Sequence, residues 1–556
     1  MTIEFSKYQQ DIFNWVINGR GDAVIQAVAG SGKTTTLVEA AKLLKSDHAV
    51  FLAFNRHIAQ QLQTRLGSAM TAKTIHSVGL ATLRGAIRKP IVDDGKYEDI
   101  GKLYAQEIAD DLKRNYAGEL RRWARSKKDT KEPEEPLSAG QVLGQLKSLA
   151  HYTRVTLTNE KDFNALVSLV EHFGCLDNSL DLKQLHYPLM SMLREGQQIA
   201  EREGIIDYDD MLWLPYVWNL TPHCHDWIMC DESQDLSPAQ LELVLAMRSR
   251  GGRILFVGDP KQAIYGFSGA ASDSIDQIIK RTSATVFPLS ICYRCPTSHI
   301  KLASEIVPSI EAAPSAIEGT IEYISYEKVH SIIAEGDLVI SRCTAPVVKL
   351  CIELIAKKIP ARVRGRDIGK ALTAIVKEVA KQPNFDFEKF GYALQAYQYD
   401  KITKLQQKKN SENQIESLRD RISGIWVSYQ AFNSHNVLDF CTEIEELFSD
   451  SRSSVVLSTV HRAKGLEERR VFILRPDQLP LRWQNQQKWE LEQEYNLKYV
   501  STTRAKEALF FVTDEKPIEI KPEDQDNEDE DEYEDDNFGE DGEYDDDYPM
   551  GADAKK

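Results

Sequence analysis

The sequence predicts an α/β protein with two parallel-sheet domains, each interrupted by a mainly helical segment. Short apolar and β-branched runs recur along the chain, and many are followed by a loop and a helical pattern. These runs fall into two groups, in residues 23–287 and 337–512, which indicates two such domains. At 556 residues, the chain is also too long for a single hydrophobic core.

The predicted strands are runs with enough apolar residues to be buried on both faces of a parallel sheet. In the first group they are AVIQAV (23–28), AVFLAF (49–54), WIMC (227–230) and RILFVG (253–258). In the second group they are DLVIS (337–341), VVLSTV (455–460), RRVFIL (469–474) and ALFFV (508–512).

Two charged segments with helical patterns, residues 80–200 and 345–450, interrupt these groups and are predicted to be insertions. The first sheet domain is then expected to comprise residues 1–79 and 201–288, and the second residues 289–344 and 451–515. Residues 516–556 are acidic and of low complexity, so we expect a disordered tail.

The net charge of −17 lies in this tail, since residues 523–547 contain 17 Asp and Glu residues and no Lys or Arg. The rest of the chain is neutral overall and can carry a basic groove, so the acidic composition excludes no partner class. Either the tail only aids solubility or it binds a protein partner or the chain's own basic groove. In the second case, deletion of residues 516–556 should raise the affinity for single-stranded nucleic acid at low salt.

The sequence has no apolar run of the roughly 20 residues that a bilayer span needs, and its first residues do not read as a secretory signal. Its eight cysteines are scattered, which is typical of reduced thiols. We therefore expect no membrane association and a cytoplasmic location, or a nuclear one in a eukaryote.

Residues 26–36, QAVAGSGKTTT, have the strand, turn and helix order of a phosphate-binding loop, although Ala27 replaces the first glycine of the usual pattern. Gly30 and Gly32 allow backbone N–H groups to face a phosphate at a helix N-terminus. Lys33 is expected to reach the β- and γ-phosphates and Thr34 to ligate Mg²⁺. The loop predicts a nucleoside triphosphate as a ligand.

A second acidic motif supports this prediction. In WIMCDESQD, an apolar strand ends at Asp231 and Glu232. Asp231 is predicted to hold Mg²⁺ and Glu232 to orient and deprotonate the attacking water. By contrast, the C-x-x-C spacing of Cys292 and Cys295 lacks a second pair to complete a tetrahedral zinc site, so we predict no zinc there.

The chain resembles a superfamily 1 DNA helicase of the UvrD/Rep/PcrA type, nearest the F-box-helicase-like branch. The motifs that carry the resemblance occur in the family's order over residues 5–513: FSKYQQ, FLAFNRHIA, TIHSVG, IIDYDDML, DESQD, VGDPKQAIYGFSGA, LSICYRCP, STVHRAKGLE and YVSTTRAKEAL. The resemblance implies two RecA-like P-loop motor domains, and in this family the loop commonly begins with alanine.

The resemblance also implies site roles. Gln262 would sense the γ-phosphate, Arg294 would contact it and Arg504 would act as an arginine finger from the second domain. Other expected nucleotide contacts are Gln9, Ala29, Gly30, Ser31, Gly32, Thr34, Thr35, Tyr293, Gly465 and Glu467. Expected DNA contacts are Phe54, Asn55, Thr74, His76, Tyr265, Phe267, Thr459 and His461, with the aromatic residues offering faces on which bases stack.

The predicted function is an ATP-dependent helicase that moves 3′-to-5′ on single-stranded DNA, unwinds duplexes at single-strand junctions and acts as a monomer. One alternative is a translocase or anti-recombinase that strips proteins from DNA with little unwinding. Another is a nucleotide-dependent switch or binding module that does not process DNA, which predicts ATPase activity indifferent to DNA.

Overall fold

The computed structural model describes residues 4–513 except 47, 54, 68–69, 127–132, 134, 177–179, 267–268, 270–272, 407–410, 449–454 and 485. The described residues contain two six-stranded sheets, one in residues 4–289, which we call the first half, and one in residues 290–513, which we call the second half. The predicted α/β class with two parallel sheets is confirmed. The predicted tail, like Phe54 and Phe267, lies outside the described residues.

The strands of the first half are β1 (Ala23–Ala27), β2 (Ala49–Ala53), β3 (Thr71–Thr74), β4 (Ile91–Val92), β5 (Ile205–Ile206), β6 (His225–Cys230), β7 (Arg248–Gly258) and β8 (Thr285–Leu289). Those of the second half are β9 (Ile291–Cys292), β10 (Glu311–Ala312), β11 (Thr320–Ser325), β12 (Leu338–Ser341), β13 (Ala361–Val363), β14 (Val455–Thr459), β15 (Glu468–Leu474) and β16 (Ala505–Thr513).

The helices of the first half are α1 (Lys7–Asn18), α2 (Lys33–Lys42), α3 (Arg56–Leu66), α4 (Ile75–Leu83), α5 (Lys96–Ser126), α6 (Ala139–Val155), α7 (Phe163–Phe173), α8 (Leu182–Glu203), α9 (Tyr208–Val217), α10 (Pro238–Ala246) and α11 (Ser274–Thr282). Those of the second half are α12 (Thr297–Ser304), α13 (Tyr326–Ile332), α14 (Thr344–Ala356), α15 (Arg366–Val379), α16 (Phe390–Gln406), α17 (Glu412–Ala431), α18 (Val437–Leu447), α19 (Val460–Ala463) and α20 (Lys488–Thr502).

Each half contains one large sheet whose described strands all run parallel. The strand order is β3-β2-β6-β7-β1-β8 in the first sheet and β11-β16-β15-β12-β14-β13 in the second. Successive residues of β1 point to opposite faces, so Ile25 joins one apolar core of the first sheet and Val24 the other. The carboxyl ends of β1 and β6 thus meet at one edge, with β7 between them.

All the strands predicted from apolar runs are present, and β3, β8, β11 and β13, at the edges of the two sheets, come in addition. An edge strand has a neighbour on one side only, so its sequence need not be continuously apolar, as TAKT in β3 shows. Strand β13 lies within residues 345–450, where the sequence predicts an insertion, yet it pairs with β14 in the second sheet.

The two helical segments are built differently. In the first, helices α5 to α8 surround a separate apolar core that includes Leu146 and Leu189. In the second, Phe390 and Phe440 share one core with Val339 and Phe472 of the second sheet. The second segment is therefore continuous with the sheet core beneath it. No helix of the described ranges is long and apolar enough to cross a membrane.

Candidate active site

The phosphate-loop sequence forms a tight turn between β1 and α2. Gly30 and Gly32 have φ angles of 67° and 77°, in the left-handed region that favours glycine. A Cβ atom at Gly30 would lie 2.6 Å from Cβ of Arg294. The loop therefore needs glycine there both for its backbone conformation and for its close packing against the second half.

The side chains of the turn are arranged for a charged ligand. Ser31 is buried, and its Oγ atom has no hydrogen-bond partner among the described residues. Lys33 begins α2, and its Nζ atom lies 3.7 Å from Oε1 of Glu232. A buried hydroxyl without a partner is costly unless a ligand fills the place, so the turn fits a phosphate group.

Asp231 and Glu232 follow directly after β6. Glu232 has a φ of 51°, a strained value for a non-glycine residue and one that occurs preferentially at functional sites. Burial and the neighbouring Glu232 raise the pKa of Asp231 to about 7. Burial also acts to raise the pKa of Glu232, but the charges of Lys33 and Lys464 outweigh it and lower that pKa to about 2. The pair therefore combines a carboxylate with a buried carboxyl group whose burial the charges of Lys33 and Lys464 do not offset.

A network of amides continues from these acids toward the loop after β7. Gln234 donates from Nε2 to Oε2 of Glu232 at 2.6 Å, and its Oε1 accepts the N–H of Asp259 at 3.1 Å. Gln262 donates from Nε2 to Oδ2 of Asp259 at 2.7 Å. Gln262 is thus connected to Glu232 through Asp259 and Gln234.

The arginines predicted for the second half lie opposite this group. Arg294 forms an ion pair with Glu467, whose other carboxylate oxygen lies 3.0 Å from Nζ of Lys506. Arg504 is buried and donates to the carbonyl oxygens of Val500 and Leu466 at 2.9 and 3.2 Å. Burial and the charge of Arg294 lower the pKa of Arg504 to about 10. Both cations are held by groups of their own half.

Between the two halves lies a cavity of about 660 Å³. The sequence-predicted residues that line it are Gly30, Ser31, Gly32, Lys33, Thr34, Thr35, Asn55, Asp231, Glu232, Gln262, Tyr265, Tyr293, Arg294, Gly465, Glu467 and Arg504. Gln9, Ala29, Thr74, His76, Thr459 and His461 are not part of its lining. One cavity therefore brings together the residues predicted to bind phosphate, the acid predicted to orient the water and the two predicted arginines.

Residues 8–283 match the family model of the UvrD/REP helicase N-terminal domain. These residues belong to the UvrD/REP helicase family. The chain is 26% identical to F-box DNA helicase 1 of Gallus gallus over 91% of this chain and 49% of that protein. It is 26% identical to DNA helicase IV of Escherichia coli (strain K12) over 46% of this chain and 40% of that protein.

A third relative, the ATP-dependent DNA helicase srs2 of Schizosaccharomyces pombe, is 27% identical over 52% of this chain and 33% of that protein. The chain thus spans about half of these curated relatives or less.

Two predicted nucleotide residues of this UvrD/REP helicase domain sit beside the cavity. Gln9 is buried and donates from Nε2 to Oγ1 of Thr36 at 2.9 Å, next to the first turn of α2. Ala29 donates its backbone N–H to the hydroxyl oxygen of Tyr499 at 2.8 Å. A third predicted nucleotide residue, Tyr293, is part of the cavity lining itself. It has 46% of its surface exposed, and its N–H donates to the carbonyl oxygen of Gly30 at 2.9 Å.

The predicted DNA residues occupy varied settings. Asn55 and Thr74 accept the N–H groups of Ile58 and Ser77 and so cap helices α3 and α4. His76 lies edge-on to Tyr208, with 6.3 Å between ring centroids. Burial, against the opposing charge of Asp209, lowers the pKa of the His76 imidazole.

The predicted DNA residues of the second half are enclosed. Thr459 is buried at the start of α19. Burial and the charge of Arg342 lower the pKa of His461 to about 3, which keeps the imidazole neutral. Tyr265 is half-buried against the second half and donates from its hydroxyl to the carbonyl oxygen of His461 at 3.2 Å.

The halves are also connected at the site by residues that sequence reasoning missed, among them Lys464, Asp235 and Tyr499. Lys464 forms an ion pair with Asp235, donates to the carbonyl oxygen of Gln262 at 2.7 Å and lies 4.9 Å from the ring centroid of Tyr265. Tyr499 reaches Ala29 as described. Each lies within a motif that carries the family resemblance: Lys464 in STVHRAKGLE, Asp235 in DESQD and Tyr499 in YVSTTRAKEAL. That position was the available signal, and it does not indicate which partner each residue reaches.

Proposed function

We propose that the chain is an ATP-dependent DNA helicase, driven by Mg²⁺-ATP hydrolysis in the cavity between its halves. The observation that carries this proposal is the arrangement of the cavity itself. Lys33 and Glu232 lie on one wall, and Arg294 and Arg504 lie on the other. Hydrolysis in such a site requires both walls, so it depends on how the halves approach one another.

In this proposal, Lys33 and the N–H groups of the phosphate loop hold the β- and γ-phosphates. Glu232, kept ionised by the nearby lysines, orients the attacking water and accepts its proton. Arg294 and Arg504 neutralise the charge that spreads over the transferred phosphoryl oxygens.

The donor set fits Mg²⁺ with Thr34 and Asp231 as the protein ligands, because Mg²⁺ usually keeps several waters and takes few carboxylates. In line with this, the described residues contain no group of three or more His, Cys, Asp or Glu residues suited to a metal. The buried Asp231 with its raised pKa is the carboxyl that a cation would bring to the ionised form. When bound, Mg²⁺ would supply charge to the phosphate oxygens.

The route from ATP to DNA runs through the loop after β7. Gln262 is connected to the acids by side-chain amides, and its carbonyl oxygen accepts a hydrogen bond from Lys464 of the second half. Tyr265, three residues further on, touches the same lysine. A shift of Lys464 on cleft opening therefore acts on both residues. We propose that this moves the chain 3′-to-5′ along single-stranded DNA as a monomer.

The deciding experiment measures ATP hydrolysis with and without single-stranded DNA, with Lys33→Ala as the inactive control. We expect DNA to stimulate the wild type by about tenfold or more and Lys33→Ala to hydrolyse no ATP under either condition. Hydrolysis that is indifferent to DNA would overturn the proposal and favour the nucleotide-dependent switch.

A second assay compares duplexes with 3′ and 5′ single-stranded tails. Unwinding of the 3′-tailed duplex alone is expected. Movement on single strands without unwinding of either duplex would instead identify a translocase that strips proteins from DNA.

A further inference from the structure

The function proposed above does not use the two cysteines of the CYRC segment. Cys292 ends β9, Cys295 precedes α12, and both are buried. The backbone N–H of Cys295 donates to Sγ of Cys292 at 3.4 Å. The Cys292 sulfur therefore lies over the short turn that carries Cys295.

This pair lies at the contact between the two halves. Sγ of Cys295 lies 3.6 Å from the carbonyl oxygen of Thr503. A Cβ atom at Gly30 would lie 2.9 Å from Sγ of Cys292. The residues between the cysteines are Tyr293 and Arg294, which line the nucleotide cavity. Any change in the geometry of the pair therefore acts on the phosphate loop and on this wall of the cavity.

The two thiols differ in acidity. Hydrogen bonds from the Cys295 thiol and from backbone N–H groups, together with the charge of Arg294, lower the pKa of Cys292 to about 6, even though burial opposes the shift. The hydrogen bond to Cys292 and burial raise the pKa of Cys295 well above its usual value. Cys292 is thus the nucleophilic thiolate and Cys295 the resolving thiol, the division of roles found in C-x-x-C sites.

We propose that Cys292 and Cys295 are a redox site that a peroxide converts to a disulfide, and that the disulfide weakens nucleotide binding. The Cys292 thiolate attacks one peroxide oxygen, the O–O bond breaks, and the released hydroxide takes a proton to become water. Cys295 then loses its proton and displaces the hydroxyl group from the sulfenic acid of Cys292. The sum is two thiols and one hydrogen peroxide giving one disulfide and two waters.

The effect on the nucleotide, which rests on the proposed function, follows from the geometry. A disulfide draws the sulfur atoms to about 2.05 Å, closer than a hydrogen-bonded pair, so the turn that carries Tyr293 and Arg294 must contract. Gly30 packs against the turn without room for even a methyl group. The contraction is therefore transmitted to the phosphate loop.

Because the thiols are buried at the contact between the halves, oxidation depends on the cleft opening. A nucleotide that draws the halves together therefore slows oxidation of the pair. A small oxidant such as hydrogen peroxide suits this enclosed position.

The test treats the purified chain with hydrogen peroxide, with and without a non-hydrolysable ATP analogue and Mg²⁺. Peptide mass spectrometry then maps disulfides, and nucleotide affinity is measured before and after dithiothreitol. We expect a Cys292–Cys295 disulfide, slowed by the nucleotide. We also expect at least about a tenfold loss of affinity, equivalent to about 1.4 kcal/mol, that dithiothreitol restores.

Cys295→Ser should be insensitive to this reversible loss, whereas Cys224→Ser, which removes an exposed cysteine, should respond like the wild type. The peptide map needs neither variant, so it decides the disulfide even if Cys295→Ser folds poorly. The absence of the disulfide from the peroxide-treated wild type would overturn the redox site. A disulfide with unchanged affinity would overturn its effect on the nucleotide, while a reduced chain that binds no ATP would instead contradict the proposed function.

Discussion

Two buried clusters of carboxylates in the first half differ in how their charge is compensated. In the Arg154 cluster, Arg154 donates to Asp207, Asp209 and Asp210, and Nζ of Lys96 lies 2.5 Å from Asp210. In the Asp231 cluster, Nζ of Lys33 lies 3.7 Å from the carboxylate of Glu232. Within the described residues, Asp231 accepts its hydrogen bond from the backbone N–H of Glu232.

Burial raises a carboxyl pKa in both clusters, to about 6 at Asp207 and about 7 at Asp231. The difference lies in the partners. The first cluster holds its own cations and joins the helical segment to α9, as expected of a structural network. In the second, the charges of Lys33 and Lys464 do not offset the burial of Asp231, so its carboxyl group can take a cation that comes with a ligand. Buried charge therefore indicates a functional site here only where its compensation is incomplete.

The largest expected effect is on stability and concerns the first cluster. Arg154→Ala should lower the local free energy of opening by about 3–5 kcal/mol, because it leaves buried carboxylates without their partner. Hydrogen exchange in α6 and α9 measures this change. Arg121→Ala, at an exposed position of the same segment, is the matched control. Unchanged exchange in Arg154→Ala would remove the structural side of the comparison.

The next effect concerns catalysis in the second cluster. Glu232→Gln should lower kcat for ATP hydrolysis by about 10³-fold, the usual contribution of a general base, and leave nucleotide affinity nearly unchanged. Phosphate release and binding of a fluorescent ATP analogue measure the two quantities. Glu201→Gln, an exposed acid on α8, should match the wild type. A loss below tenfold would assign the water to another residue.

A smaller effect links the second cluster to pH. The pKa of Asp231 is raised in the folded protein, so the folded state holds this proton more tightly than the unfolded state does. The contribution of Asp231 to the free energy of unfolding therefore falls as pH rises from about 4 to about 7. Without nucleotide and Mg²⁺, Asp231→Asn should therefore gain stability relative to the wild type between pH 5 and pH 8. The gain should be on the order of 3 kcal/mol, since about two pKa units of the shift lie in that range and one unit is about 1.4 kcal/mol. Thermal unfolding at both pH values measures the difference.

Asp231→Asn should also abolish the gain in ATP affinity that Mg²⁺ gives the wild type. An equal stability difference at pH 5 and pH 8 would contradict incomplete compensation at Asp231.

The smallest effect concerns a hydrogen bond between the halves. Tyr499→Phe removes the acceptor of the Ala29 N–H and should raise KM for ATP by about fivefold, equivalent to about 1 kcal/mol, with kcat nearly unchanged. Steady-state kinetics measure this. Tyr495→Phe, which removes a hydroxyl elsewhere on α20, should leave both constants alone. A drop in kcat at constant KM would instead give Tyr499 a part in the chemical step.

The interior strands were predictable because burial on both faces forces apolar runs, as in AVFLAF. The edge strands were not, since β3 and β11 face solvent on one side and carry mixed sequences. The same limit applies to β13, which the sequence assigns to the second helical segment although it extends the second sheet.

The sequence by itself determined the local chemistry of the protein. Gly30, Gly32 and Lys33 specify the phosphate loop within a few residues, and Asp231 and Glu232 stand at the end of an apolar strand, because backbone conformation and strand burial leave local patterns. Only the tertiary structure decided which groups from the other half complete the cavity.

Lys464 reaches Asp235 across 229 residues of sequence, and Tyr499 reaches Ala29 across 470. These contacts depend on the order of parallel strands and on the packing of α20 against the first half, which no short stretch of sequence encodes.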